Sequence, residues 1–157
     1  MLLSKSCVYG LRAALFLANQ EHGKFIPIRQ MSDKLEISFH FLTKILQQLT
    51  AEGILESFKG PNGGVRLIKR GEQIPLIDVV LAIDGSELLT ECALGLPGCG
   101  VKEPCPLHDK WAEARDGIRS MLEESTLTEL VQKGRDENLR LTSENGFDIL
   151  FEVKEGV

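Results

Sequence analysis

At 157 residues, 43% hydrophobic and 26% charged, the chain has the size and balance of one globular domain, or of a small domain with an appended helix. No apolar run approaches the ~20 residues needed to cross a bilayer. The start MLLSKSCVYGLRAALFLANQ has no small-residue cleavage site, so a cytoplasmic protein with no membrane partner is predicted. The net charge of −5 conceals an asymmetry: residues 1–70 hold ten Lys/Arg against five Asp/Glu, and residues 71–157 hold eight against eighteen. A cationic first half can face a phosphate backbone while the acidic second half turns away from it.

Val8, Leu11, Leu15 and Ala18 recur at helical spacing and predict a first helix over about 5–20, ending near Gly23. Pro27 opens a short second helix carrying Ile28, Met31 and Leu35, and a turn at Glu36-Ile37 leads to Ser38, a good N-cap. A third helix runs from Phe39 to Glu52 with a buried stripe of Leu42, Ile45, Leu46 and Leu49, and Gly53 suits the position past its end. Its other face presents His40, Thr43, Lys44, Gln47 and Gln48. Two helices joined by so short a turn match a helix-turn-helix, although any small bundle contains amphipathic pairs.

The next element decides. ILESFK and VRLIKR flank GPNGG and read as a two-stranded hairpin, with Asn62-Gly63 supplying the positive-φ positions of its turn. Lys59, Arg66, Lys69 and Arg70 place charge beside a tip of small residues. Alone this would be an ordinary solvated hairpin; directly after a helix-turn-helix it reads as a wing that reaches phosphates or a minor groove.

Pro75 then starts an almost wholly apolar helix, LIDVVLAIDG, ended by Gly85. Residues 86–105 show no period, hold three Gly and two Pro, and read as an unusually long loop. Pro106 opens the last long helix, where Leu107, Trp111, Ala114, Ile118 and Met121 alternate in steps of four and three, a seam that predicts a homodimer. TLTEL carries a capping box, Thr126 with Glu129, for one more short helix. The tail is polar until Phe147, Ile149, Phe151 and Val153, whose alternation predicts a strand on a sheet edge or else a disordered segment.

Three of the four cysteines, Cys92, Cys99 and Cys105, fall within fourteen residues, and His108 follows in CPLH. With Pro106 as the first helical residue, Cys105 occupies the N-cap and His108 the first turn, where a helix N-terminus stabilises thiolate. Three thiolates and an imidazole make a four-donor set for zinc or for a two-iron cluster. Structural zinc sites usually contain a tight cysteine pair, which is missing, whereas a glycine-rich loop can wrap a larger cluster. Unligated thiols and a thiol–disulfide switch are the other readings.

The order of ISFHFLTKILQQL, KGPNGGVRL, LIDVVLAIDG, the cysteine loop, CPLHDKW and TLTELV over residues 1 to about 133 resembles the Rrf2 family of bacterial winged-helix regulators. The resemblance implies a mainly α fold with a small β-hairpin: a winged helix-turn-helix domain at 1–85, a cluster-binding loop at 86–108, a dimerisation helix region at 106–133 and a tail at 134–157. It implies a non-enzymatic homodimeric regulator, a repressor in the first instance, that binds double-stranded operator DNA and responds to an iron–sulfur cluster sensing redox state, nitric oxide or iron–sulfur supply. Cys92, Cys99, Cys105 and His108 match the ligands of the family's IscR-type members, which favours a 2Fe–2S cluster over a 4Fe–4S one. Residues 1–20 contain no Asp or Glu, so the acidic ligand of NsrR-type members has no counterpart. The gap between the first two cysteines is one residue longer than in the IscR type, and Cys7 is a competing donor or a buried core residue. Ser38, His40, Thr43, Lys44 and Gln47 on the third helix, with Lys59, Gly63 and Arg66 on the wing, are the expected DNA contacts. The alternatives are a zinc-bound or metal-free thiol-redox regulator of the same fold, and then a small redox or metal-carrier enzyme.

Overall fold

The computed structural model describes residues 2–151. Helix α1 (Lys5–Ala18) begins where the Ser4 side chain accepts from the Cys7 N–H at 3.0 Å, and Ser4 is itself held by the Asp84 carboxylate. It forms the centre of the core, with Cys7, Ala13, Ala14, Phe16 and Leu17 buried. Pro27, its φ fixed near −59°, delivers the chain into α2 (Ile28–Leu35). The chain leaves α2 through Glu36 in the left-handed conformation, and the buried Ser32 hydroxyl donates to the Ile37 carbonyl at 2.6 Å, which fixes the tight turn into α3 (Phe39–Ala51). Leu42, Ile45, Leu46 and Leu49 are all buried, as their spacing predicted.

Strands β1 (Leu55–Phe58) and β2 (Gly64–Leu67) pair antiparallel, Leu55 opposite Leu67 and Phe58 opposite Gly64. Ile26, ahead of α2, adds a third rung through Ile26 N–H to Val65 O at 2.9 Å and Val65 N–H to Ile26 O at 3.0 Å. The turn corrects the expectation for Asn62-Gly63: positive φ falls on Gly60 (129°) and Gly64 (156°) instead. Pro61 is the reason. A proline after Gly60 presets an ordinary β-turn, closed by Gly63 N–H to Gly60 O at 2.9 Å, so the left-handed residues move to its flanks. Gly64 is required twice over, because a Cβ there would run into the Ile26 carbonyl.

Helix α4 (Leu76–Asp84) packs on α1 and ends at Gly85, whose φ is +74°. Its start is tied to the far end of the chain by Leu76 N–H to Ser125 O and Leu127 N–H to Ile74 O, at 2.9 and 3.0 Å. The expected loop is not wholly irregular, since one helical turn, α5 (Glu87–Thr90), occupies its start. Helix α6 spans His108–Glu124, two residues later than expected, so Leu107 and not Cys105 stands at its N-cap. Cys105 to His108 instead form a tight turn, closed by His108 N–H to Cys105 O at 3.0 Å, before the helical ladder starts at Leu107.

Thr126 caps α7 (Leu127–Asp136), its hydroxyl accepting from the Glu129 N–H at 3.2 Å. Thr126→Ala is expected to cost about 1 kcal/mol in denaturant unfolding, the usual worth of such a cap. The tail corrects the strand expectation over Phe147–Leu150, which form a helical turn, α8. Phe147 and Phe151 lie four residues apart and their rings stack at 5.4 Å on one face, a proximity that a helical turn allows and a strand, which would set them roughly 13 Å apart, does not. Phe151 also reaches Phe16 of α1 at 5.0 Å. Val153, the last residue of the expected strand, lies outside the described residues.

Candidate nucleic-acid interface and cysteine site

One exposed face combines α3 and the hairpin. His40, Lys44 and Gln47 are exposed along α3, and Lys59 stands exposed beside the hairpin tip. Ser38 occupies the N-cap position without a side-chain capping bond, which leaves its hydroxyl free for another partner. Thr43 is half-buried and its hydroxyl donates to the Phe39 carbonyl at 2.7 Å, so it presents mainly its methyl group. Between helix and wing lies a cleft of about 450 Å³ lined by Arg29, Phe39, Thr43, Gln47, Lys59 and Gly63, among others.

Arg66 does not line this cleft. Its guanidinium pairs with Glu56 across the strands at 3.0 Å, donates to the Gly23 carbonyl at 2.8 Å and lies 4.2 Å from the Phe25 ring centroid. It therefore braces the wing against the α1–α2 connection. Sequence reasoning missed Arg29, which borders the cleft with its guanidinium 4.3 Å from the Phe39 ring centroid. No sequence motif marks it.

The cysteine loop brings its four expected donors together as two pairs. Cys92 Sγ lies 3.5 Å from Cys105 Sγ, and Cys99 Sγ lies 3.6 Å from His108 Nδ1. All four residues are half-buried. Among the described residues no three His, Cys, Asp or Glu side chains gather closely enough to hold a single ion. The backbone N–H groups of Leu96 and Leu94 hold the Cys92 thiol below its ordinary value, whereas desolvation and then the neighbouring Cys92 push Cys105 up. Cys7 is fully buried in the core, and burial, reinforced by the Asp84 carboxylate, pushes its thiol up to about 12. It is thus a protonated core residue, and iodoacetamide at neutral pH should label Cys92, Cys99 and Cys105 of the folded chain while Cys7 stays unmodified in a peptide map.

Helix α6 clamps this loop from one side. Trp111 Nε1 donates to the Glu91 carbonyl at 2.9 Å, Arg119 Nη2 to the Leu89 carbonyl at 2.7 Å, and Arg115 Nη1 approaches Glu91 O and Cys99 Sγ at 3.5 and 3.6 Å. These three residues recur every fourth position on one helix face. Trp111, expected in the dimer seam, is thereby engaged by its own chain. The rest of that seam divides: Leu107 and Met121 are 39% and 56% exposed, Ala114 is exposed and Ile118 half-buried, which leaves an apolar edge uncovered. Ahead of the loop in the chain, Gln48 of α3 donates to the Ala82 and Ile83 carbonyls at the end of α4, at 3.1 and 3.3 Å.

Among the described residues no helix is long and apolar enough to cross a membrane. Residues 3–133 match the family model Rrf2, described as "Iron-dependent Transcriptional regulator". The chain is 34% identical over 132 residues to the HTH-type transcriptional regulator NsrR of Shouchella clausii, covering 83% of this chain and 89% of that one. It is 29% identical over 153 residues to the HTH-type transcriptional regulator IscR of Photorhabdus laumondii, covering 93% of each. Among solved structures, CymR, the global cysteine regulator of B. subtilis, superposes with a TM-score of 0.71 at 22% identity, over 83% of this chain and 96% of that one, a likeness of fold. The winged-helix fold and these regulatory relatives, none of them an enzyme, agree with the matched motif order: the chain belongs to the Rrf2 family of transcriptional regulators.

Proposed function

We propose that this regulator binds operator DNA as a homodimer and that an iron–sulfur cluster held by Cys92, Cys99, Cys105 and His108 sets its affinity. The observation that carries the reading is the arrangement of the four donors as two close pairs, three on the loop held between α5 and α6 and His108 at the start of α6. Two ligands sharing a tetrahedral metal with bonds of about 2.3 Å to sulfur and 2.05 Å to nitrogen stand about 3.8 Å apart for two sulfurs and about 3.6 Å for sulfur and nitrogen. The observed 3.5 and 3.6 Å lie near such edges, so these four residues would hold a two-iron group, which needs two donors for each iron. When bound, such a group supplies a centre that changes with electrons, oxygen or nitric oxide.

The chain's own residues provide the rest. Ser38, His40, Thr43, Lys44 and Gln47 face the major groove, while Lys59 and the close-fitting tip around Gly63 meet the adjacent backbone or minor groove. Arg29 adds a cation at the cleft, and Arg66 acts by holding the wing in place. The exposed edge of α6 pairs with its counterpart in a second copy, so two recognition helices meet a near-palindromic site. Ordering of the loop reaches α3 through α5, Gly85 and the α4 carbonyls that Gln48 holds. Repression is the expected outcome, by occlusion of the bound duplex.

Reconstitution of the full chain with iron and sulfide under argon tests the cofactor: equal uptake of the two is expected, and stoichiometric zinc retained in their place would overturn it. On the DNA side, Lys59→Ala should weaken binding and lower the salt slope by about 1, as loss of one phosphate contact does. Arg66→Ala should instead lower the unfolding midpoint, since its guanidinium serves Glu56 and Gly23. Equal salt slopes for wild type and Lys59→Ala would remove Lys59 from the interface. A metal-free thiol regulator is the second reading, favoured by the 3.5 Å approach of Cys92 to Cys105. It predicts a reversible Cys92–Cys105 disulfide and unchanged DNA affinity on removal of iron.

A further inference from the structure

We infer that Arg115 is a positioning residue for the Cys99 sulfur and sets the reduction potential of the group that sulfur helps to hold; the second half of this inference rests on the cluster reading. Arg115 lies one turn after Trp111 on α6 and is half-buried. Its Nη1 stands 3.6 Å from Cys99 Sγ and 3.5 Å from the Glu91 carbonyl, and its Nε is buried with no hydrogen-bond partner. No carboxylate within salt-bridge distance neutralises it, since among the described residues the one ion pair is Arg66 with Glu56. An always-charged guanidinium with an unsatisfied buried donor is costly unless something electron-rich lies beside it. Its Nη1 finds such neighbours in the Glu91 carbonyl and in a sulfur, and Cys99 is the sulfur paired with His108, not with another cysteine.

The physical consequence has a definite sign. Hydrogen bonds and positive charge at a ligating sulfur stabilise the more negative, reduced form and raise the potential. Arg115 reaches Cys99, whereas the other two thiols face each other 3.5 Å apart, so its influence falls on the side that carries the imidazole. Arg119 and Trp111 bind carbonyls, so they fix the loop backbone without touching a sulfur.

The test compares wild type, Arg115→Leu and Arg115→Lys as full chains reconstituted to equal iron and sulfide. Spectroelectrochemical titration should give Arg115→Leu a more negative midpoint by about 59 mV, a tenfold change in a one-electron equilibrium, with partial recovery in Arg115→Lys. An unchanged midpoint at equal loading overturns the inference. Where Arg115→Leu fails to load, Arg115→Gln replaces it and the same negative shift is required. A second measurement is independent of the cofactor: in iron-free protein, phenylglyoxal modification of Arg115 should quicken several-fold in Cys99→Ala, which uncovers the guanidinium, and not in Cys92→Ala. Wild-type protein that takes up no iron or sulfide would defeat the cluster reading, and the Arg115 modification rate would still decide whether Arg115 serves the Cys99 sulfur; an unaltered rate in Cys99→Ala overturns it.

Discussion

Cys92→Ala protein prepared without oxygen should be colourless, with no visible absorption and little bound iron, while Cys7→Ala protein keeps both. The contrast follows from where the two thiols sit. Cys92 faces Cys105 on the half-buried loop, and the N–H groups of Leu94 and Leu96 favour its thiolate, the form that binds metal. Cys7 is buried in α1 with its thiol pushed up to about 12, so it remains protonated at neutral pH. Removing Cys92 also leaves Cys105 without its partner, so one edge of the four-donor set disappears as a unit. Iron and sulfide assays with the visible spectrum measure this directly. Full colour in Cys92→Ala, or its loss in Cys7→Ala, would mean that the ligand set has been misassigned.

The second large effect concerns the wing. Gly64→Ala should destabilise the protein by roughly 3 kcal/mol, because a left-handed residue gains a Cβ that the Ile26 carbonyl obstructs. In a domain of this size that corresponds to a fall of roughly 6–12 °C in Tm. Gly53→Ala is the control: φ there is also positive, at 78°, but nothing lies within 4 Å of the added methyl, so only the backbone strain of about 1–2 kcal/mol is expected. Thermal unfolding of the two variants separates crowding from strain. DNA affinity should fall with Gly64→Ala in addition, since Ile26, Val65 and the tip move together.

Much of the fold could be read from periodicity because its helices bury regular stripes. The four apolar residues of α3 and the opening of α2 at Pro27 are local facts, set by spacing and by one fixed φ. The wing's position was legible and its turn was not. Asn62-Gly63 is a strong hairpin signal in isolation, yet Pro61 imposes a different turn, and the approach of Ile26, nearly forty residues earlier in the chain, decides which glycine is indispensable. The tail failed for a related reason. Phe147 and Phe151 satisfy a spacing of two and a spacing of four alike, and their packing on Gly134 and Phe16 selects the helical turn.

At the site, the residue types were legible and their partners were not. Charge alone nominated Arg66 as a phosphate contact, and its cross-strand pairing with Glu56 is a second partner that only the strand register reveals. Pairing of Cys99 with His108, and of Cys92 with Cys105, likewise depends on how a loop without periodicity folds across α6. Arg115 and Arg29 carry no motif at all; each is found through the sulfur or ring it lies against.

Whether cofactor state controls DNA affinity is tested by one comparison. The full chain selects a two-fold symmetric duplex from random sequence, and its Kd for that duplex is then measured anaerobically at fixed salt, with the cluster loaded and after its removal. A coupling of about 1–3 kcal/mol predicts affinities that differ roughly 5- to 150-fold, and the difference should vanish in Cys92→Ala. Equal affinities in the two states, with the wild-type cluster demonstrably present in one and absent in the other, would contradict the account.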